Sequence, residues 1–279
     1  MTARTDPLSL SHDEISRVGA LLYRWTGMVF GDNKRYYIER RIAERMKSNA
    51  IASAQSYLAF VSGHMGEREA LINAFTINET YFYREEHQLA ALSRDILPGI
   101  VRDKRPGDLV RIWSMPCSTG EEGYSIAIWL LENWPLVDAY NVEIVGSDID
   151  TQALDKAREG YFSERSLARL PDAVRERYFE PEKNHRRRII QDLRESVHFT
   201  AANIVDASTV GGLGTFDVIL CRNLLIYFDD ETRLLAANTL YDSLVPGGTL
   251  CLGHSESMGR ISDRFILARL PDAIVYRKA

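Results

Sequence analysis

WSMPCSTGEEGYS, residues 113–125, is the stretch on which the fold turns. An apolar run, Leu109 to Trp113, leads into it, and Ile126, Leu130 and Leu131 follow at helical spacing. Strand, tight turn and helix in that order outline a nucleotide-binding unit. The turn nonetheless lacks the G-x-G-x-x-G spacing that lets a backbone wrap a pyrophosphate. It also carries Glu121 and Glu122, whose charge would repel phosphate.

Outward from that turn, the texture from about residue 107 alternates. DLVRIWS, VEIVGSDI, VHFTAANI, FDVILCRN and GTLCLGHS read as strands. STGEEGYSIAIWLLENW, TQALDKAREG and DETRLLAANTLYDSLVPGG read as the helices between them. Alternation of this kind predicts a parallel sheet with helices on both faces. RFILARL and AIVYRK, joined by Pro271 and Asp272, predict a terminal hairpin and hence one antiparallel strand. Residues 160–198 are polar and arginine-rich, too long for a crossover, and read as an inserted subdomain.

Toward the N-terminus the periods are helical. Ser11 and Glu14 have capping-box spacing ahead of Ile15, Val18, Leu21 and Leu22. NKRYYIERRIAERMKS, SAQSYLAFVSG and EREALINAFTI supply three further helices. The expected organisation is a helical domain over 1–72, a linking segment over 73–106 and an α/β domain over 107–279. The sequence has 279 residues, 45% of them hydrophobic, and a formal net charge of -5, which predicts a globular chain and argues against non-specific nucleic-acid binding. Its three cysteines form no C-x-x-C pair, so no zinc site and a reducing compartment are expected. MTARTDPLSLSHDE has no apolar signal region, and no run approaches a membrane span, so a cytoplasmic protein without membrane insertion is expected.

Ligands of open α/β sheets bind beyond the carboxyl ends of the strands. Asp148 ends the second strand, where an acid accepts hydrogen bonds from ribose hydroxyls. A ribose acceptor beside a phosphate-poor turn suits a nucleoside without phosphates. S-adenosylmethionine is one, and its cationic groups would make Glu121 or Glu122 useful. The competing reading is a sheet whose acids only cap a helix. Asp148 and Asp150 also form a D-x-D, which could hold Mg²⁺, although Asp150 as cap of the next helix is preferred. Arg222 and Asn223 close the FDVILC strand, with Tyr227 about a turn further on. His254, Ser255 and Glu256 are adjacent and cannot converge as a triad, so His254 reads as structural. Arg41, Arg45 and Lys47 lie in a basic helix, either a solvated face or a docking face for an acidic protein surface.

FTINETYFYREEH, WSMPCSTGEEGYSIAIWL, GSDIDTQALDKAREGYF, ANIVD, FDVILCRNLLIYFD and PGGTLCLGHSES, in this order, resemble the chemotaxis receptor methyltransferases over nearly the whole chain. The resemblance implies a Rossmann-like class I methyltransferase domain with an antiparallel last strand and a small inserted β subdomain, behind an all-helical N-terminal domain. It implies methyl transfer from S-adenosylmethionine to glutamates of chemoreceptor cytoplasmic helices, leaving S-adenosylhomocysteine. By resemblance, Asn78, Thr80, Arg84, Glu122, Asp148, Asn203, Ile204, Arg222 and Asn223 contact the cofactor. Arg84 and Tyr227 lie nearest the transfer, and Arg41, Arg45 and Lys47 face the receptor. Relatives that grip a receptor's C-terminal peptide use a longer hairpin than the one between Tyr178 and Ile189, so no such tether is expected. Met115 and Pro116 stand where many relatives have small residues. The rival readings are a methyltransferase of RNA or a small molecule, a cofactor-binding scaffold without turnover, and a dinucleotide oxidoreductase.

Overall fold

A computed structural model describes residues 9–31 and 34–279 of the chain. They divide into two compact units, with the chain passing from one to the other between Ile77 and Asn78. Tyr227–Asp229 belong with the first unit.

The first unit is helical. Helix α1 (His12–Thr26) starts on the expected capping box, in which the Glu14 N–H donates to Ser11 Oγ and the Ser11 N–H donates to Glu14 Oε2. It ends on Gly27, whose φ of 73° is open to glycine at little cost. Helix α2 (Arg35–Ser48) buries Ile38, Ile42 and Met46, the apolar row read from the sequence. Asn33, where that reading began, lies outside the described residues, as do the first eight residues of the N-terminal segment. Helix α3 (Ala54–Gly63) takes Ser53 as its cap, and α4 (Met65–Phe75) follows directly. Phe75 packs edge-on against Phe30 and Tyr37, and the short bridge Met28–Phe228 brings in the later segment.

The second unit opens with helices α5 (Glu86–Ala91) and α6 (Leu97–Ile100), joined through a π-wound turn at Leu92–Ile96. Phe82, Leu89, Leu92, Ile96 and Leu97 are buried in the core, so residues 78–106, read as linker, are part of the α/β unit. The main sheet holds β1 (Leu109–Ser114), β2 (Asn141–Asp148), β5 (Val197–Ala201), β6 (Phe216–Cys221), β7 (Leu244–Leu252), β8 (Phe265–Arg269) and β9 (Ile274–Lys278). Their order is β5-β2-β1-β6-β7-β9-β8, and β9 alone runs against its neighbours, as the terminal hairpin predicts. Every residue of β6 is buried, which a parallel strand covered on both faces requires. Helices α7 (Glu121–Asn133), α8 (Thr151–Glu159), the short α12 (Ala207–Val210) and α13 (Asp230–Asp242) connect the strands. The sequence reading ran the last helix on to Gly248. It stops at Asp242, because Val245 precedes Pro246 and is driven toward extended backbone, and Leu244 already belongs to β7.

Residues 160–198 form β3 (Tyr161–Ser163), α9 (Glu164–Leu167), α10 (Asp172–Tyr178), β4 (Arg186–Arg188) and α11 (Gln191–Ser196). Strands β3 and β4 pair antiparallel in a two-stranded sheet, so the excursion holds the expected β ribbon, with three short helices beside it.

Candidate functional site

The chain leaves β1 toward β2 on one side and later returns to lay β6 on the other, so strand order reverses at β1/β6. A crevice outside the carboxyl ends of such strands is where ligands bind. Ser114, Asp148, Ala201 and Cys221 are those ends.

The turn after β1 is drawn against β2. Cys117 N–H donates to Ser147 O at 2.8 Å, and Ser118, in the left-handed region at φ 49°, turns its N–H to Asp148 Oδ2 at 2.7 Å. Asp148 Oδ1 accepts from the Asp150 N–H at 2.9 Å. Gly120, at φ 96°, admits no side chain, since a Cβ there would stand 2.8 Å from Ala157 Cβ. Burial raises the Asp148 carboxyl to about 6, against the opposing pull of the two N–H groups. Each carboxylate oxygen retains a lone pair for a further donor, such as a hydroxyl of a diol. Asp150 caps α8 through Ala153 N–H, the role preferred for it over Mg²⁺. Its other oxygen accepts from Asn78 Nδ2 at 2.7 Å, and Asn78 Oδ1 accepts from Ser118 Oγ at 2.9 Å. Asn78, Ser118, Asp148 and Asp150 therefore form one hydrogen-bonded ring, although Asn78 is far away in sequence. Among the described residues, no group of three or more His, Cys, Asp or Glu could hold a metal ion.

The two glutamates of the turn part company. Glu121 accepts from Thr119 Oγ1 and Ser166 Oγ, which ties the turn to α9, and its burial raises its carboxyl. Glu122 faces the strand ends: Oε1 accepts from Ser114 Oγ at 2.7 Å and Oε2 from Arg222 Nε at 2.5 Å. Arg222 is buried and also donates from Nη1 to Arg84 O at 2.7 Å, with Glu85 Oε2 3.7 Å away. One guanidinium thus faces two carboxylates, and the cluster keeps an excess of negative charge suited to a cationic ligand. Met115 is buried and continues the β1–β6 pairing, with its N–H on Leu220 O.

Asn223, at φ 59°, follows Arg222. Its backbone N–H and that of Leu225 donate to Glu256 at 2.7 and 2.8 Å, and Gly253 N–H joins them at 3.0 Å. The buried side-chain Oδ1 of Asn223 has no partner within the chain. An orphaned buried acceptor costs roughly 1–3 kcal/mol unless something donates to it, so its place beside an acid cluster fits a bound ligand. Asn203 and Ile204 lie just past β5, whose Ala201 is in register with Asp148. Ile204 is buried, and the Asn203 carbonyl accepts from Asp206 N–H. Arg84 donates to Glu79 O at 2.7 Å and lies 5.8 Å from the Tyr81 ring, and half-buried Thr80 belongs to the same segment.

The helical unit holds the others. The Tyr227 carbonyl accepts from Val29 N–H, and Lys34 Nζ lies 5.9 Å from the Tyr227 ring. Arg41 stacks on Tyr37 and pairs with Glu44. Lys47 is exposed. Arg45 makes a bidentate pair with buried Glu67, at 2.9 and 2.5 Å, and Glu67 also accepts from Tyr57 Oη. Its guanidinium therefore holds α2 to α4, a role that the basic stripe did not disclose. In the α/β unit, Glu85, Ser118 and Glu256 are the structural partners that the sequence left unassigned. Glu256 stood out in the sequence only as a neighbour of His254.

A β5-β2-β1-β6-β7-β9-β8 sheet with a reversed β9, an acid closing β2 and an acid-bearing first turn define a Rossmann-like methyltransferase domain. The comparisons then give the particular family. Residues 13–76 match the CheR methyltransferase all-alpha domain, and residues 78–274 match the CheR methyltransferase SAM binding domain. Chemotaxis protein methyltransferase 2 of Vibrio cholerae is 45% identical over 273 residues, covering 96% of this chain and 94% of that protein. Chemotaxis protein methyltransferase 2 of Pseudomonas aeruginosa is 34% identical over 88% of this chain and 87% of its own length. For the chemotaxis protein methyltransferase of Escherichia coli the identity is 34%, over 94% and 91%. The chain belongs to the CheR chemotaxis methyltransferase family. It is a methyltransferase with S-adenosylmethionine as its cofactor, and the acid cluster, Asp148 and the orphaned Asn223 acceptor fit that cation.

Proposed function

We propose that the protein methylates glutamate side chains on the cytoplasmic helices of chemoreceptors, giving methyl esters, and that it works in the cytoplasm. The observation that carries the reading is the buried Glu122–Arg222–Glu85 cluster beside Asp148 at the β1/β6 crevice, within a chain of the chemotaxis methyltransferase family. Bound S-adenosylmethionine supplies an electrophilic methyl group, whose transfer to a carboxylate oxygen leaves S-adenosylhomocysteine. Asp148 accepts from the ribose hydroxyls, and Glu122 and Asn223 serve the methionine end. Asn78, Thr80, Asn203, Ile204 and Arg222 complete the cofactor contacts.

A glutamate ionises near pH 4.3, so at neutral pH it is already a nucleophile and no general base is required. The protein's own thiols are poor rivals. Cys117 and Cys221 are buried and pushed far up by that burial, and Cys251 is pushed up to about 12. What is left to the protein is alignment, worth roughly 7–11 kcal/mol in favourable model reactions. Arg84 orients the incoming carboxylate through charge-assisted hydrogen bonds, and Tyr227 is the second catalytic residue. Arg41 and Lys47, on α2, meet the receptor. An RNA substrate fits the acid-lined crevice poorly, because phosphates would approach Glu85, Glu122, Asp148 and Asp150. Among the described residues, no helix is long and apolar enough to cross a membrane.

Incubation with methyl-labelled S-adenosylmethionine and receptor cytoplasmic fragments tests the reading. Label released as methanol by mild base supports glutamate esters. Base-stable label, or label in RNA, refutes them.

A further inference from the structure

The cluster behind Arg222 reaches the surface at His254. Glu85 follows Arg84 in the left-handed region, at φ 56°, and its carboxylate is 10% exposed. Three residues hold that carboxylate, one from its own helix and two from distant segments. Gln88 Nε2 donates to Oε2 at 2.8 Å, and the same amide donates to Leu252 O at 2.7 Å, so two acceptors fix which end of it is nitrogen. His254 donates to Oε1 from Nδ1 at 2.8 Å and from its backbone N–H at 3.3 Å. Arg222 Nη1 stands 3.7 Å from Oε2. Burial by itself would raise the Glu85 carboxyl, but the His254 hydrogen bond and the Arg222 charge outweigh it and hold the group below the usual carboxylate range. Glu85 is therefore an anion, and its charge is spent on Arg222.

Arg222 passes that constraint on. Its Nη1 donates to the Arg84 carbonyl and its Nε to Glu122. The imidazole of His254 is 70% exposed, so its burial adds little to the fold, and its link to Glu85 is what it contributes. Its tautomer is set by the acceptor at Nδ1.

We propose that His254 and Glu85 are positioning residues for methyl transfer: they lock Arg222, and through it the Arg84 backbone and the Glu122 carboxylate, in the arrangement that serves the cofactor. This inference rests on the reading of Arg84 and Glu122 as site residues. It replaces the view of His254 as merely structural.

The test uses the full chain, receptor fragments and labelled S-adenosylmethionine, with His254→Ala, His254→Asn and Glu85→Gln. An asparagine amide can present an N–H where Nδ1 stands. His254→Ala and Glu85→Gln are expected to lower kcat on the order of 10- to 100-fold, the scale of a small misplacement at a reacting centre. The receptor KM should hold in both and the melting temperature in His254→Ala, whose imidazole is exposed, whereas Glu85→Gln also removes an anion facing Arg222; His254→Asn should recover most of the rate. Unchanged kcat in His254→Ala overturns the inference, as does a loss that asparagine fails to recover or that tracks a fall in melting temperature. Asp148→Asn separates the two levels. If it leaves S-adenosylhomocysteine affinity intact, the site reading fails. If it weakens affinity while His254→Ala turns over normally, only the positioning role fails.

Discussion

Asp148 is an acid whose burial works against the role proposed for it, and that conflict can be measured. Its carboxyl, raised from 3.8 to about 6, binds a proton in the folded chain at pH values where the unfolded chain has released it. The folded state gains stability from this group as pH falls from 6 toward 4. A ribose diol, by contrast, donates best to the ionised form. Affinity for S-adenosylhomocysteine should therefore fall below pH 6 while this contribution to stability rises. Calorimetry from pH 5 to 8 checks it, and Asp148→Asn should weaken binding by roughly 10- to 100-fold at pH 7 and remove that slope. The adjacent glutamates give a contrast. Glu122→Gln removes one of the two anions neutralising buried Arg222, and breaking such a pair costs roughly 3 kcal/mol. Glu121→Gln should be nearly neutral in denaturant titration, because Glu121 sits against two hydroxyls with its carboxyl already raised. Equal losses in the two would contradict the opposite orientations. Asp148, Arg222 and Asn223 were legible because strand ends announce themselves. Glu85 was not, because its partner His254 lies 169 residues away.

At the scale of elements, strand and helix periods carried most of the architecture, and the capping residues Ser11 and Asp150 took the roles their spacing gave them. Periodicity misplaced the α13–β7 boundary, since the apolar Leu244 and Val245 suit either element and Pro246 decides against the helix. The inserted subdomain and its β ribbon were legible as an excursion, but its three helices were not, because each is too short to show a period. Its ribbon also bears on tethering. One edge of β4 pairs with β3, and the other meets the chain's own Phe179–Lys183 through the bridges Phe179–Ile189 and Lys183–Arg186. Both edges of β4 are thus taken, and a receptor peptide could add only to the outer residues of a very short ribbon. Titration with isolated receptor C-terminal peptides should show no binding in the micromolar range. Micromolar affinity that is lost on changing residues 183–195 would reinstate the tether.

The whole molecule carries a net charge of -5, yet α2 presents Arg40, Arg41 and Lys47 in its helical unit. The basic stripe read from the sequence mixes two kinds of residue, and only their partners tell them apart. Arg45 is spent on buried Glu67, so reversing its charge would leave two acids facing each other beneath α2. Arg45→Glu should lower stability by about 3 kcal/mol or more, the cost of breaking a partly buried pair. A receptor assay on that variant would report folding as much as docking. Arg41→Glu with Lys47→Glu avoids the problem, since neither side chain holds helices together: Arg41 pairs with Glu44 on its own helix, and Lys47 is exposed. This double variant should methylate receptor fragments slower by on the order of tenfold, through slower encounter with an acidic surface. The wild-type rate should fall as salt rises, and the variant should lose most of that dependence. S-adenosylhomocysteine affinity should be the same in both, because every residue proposed to contact the cofactor lies in the α/β unit. Normal receptor methylation by the double variant at low salt would move the docking surface off α2.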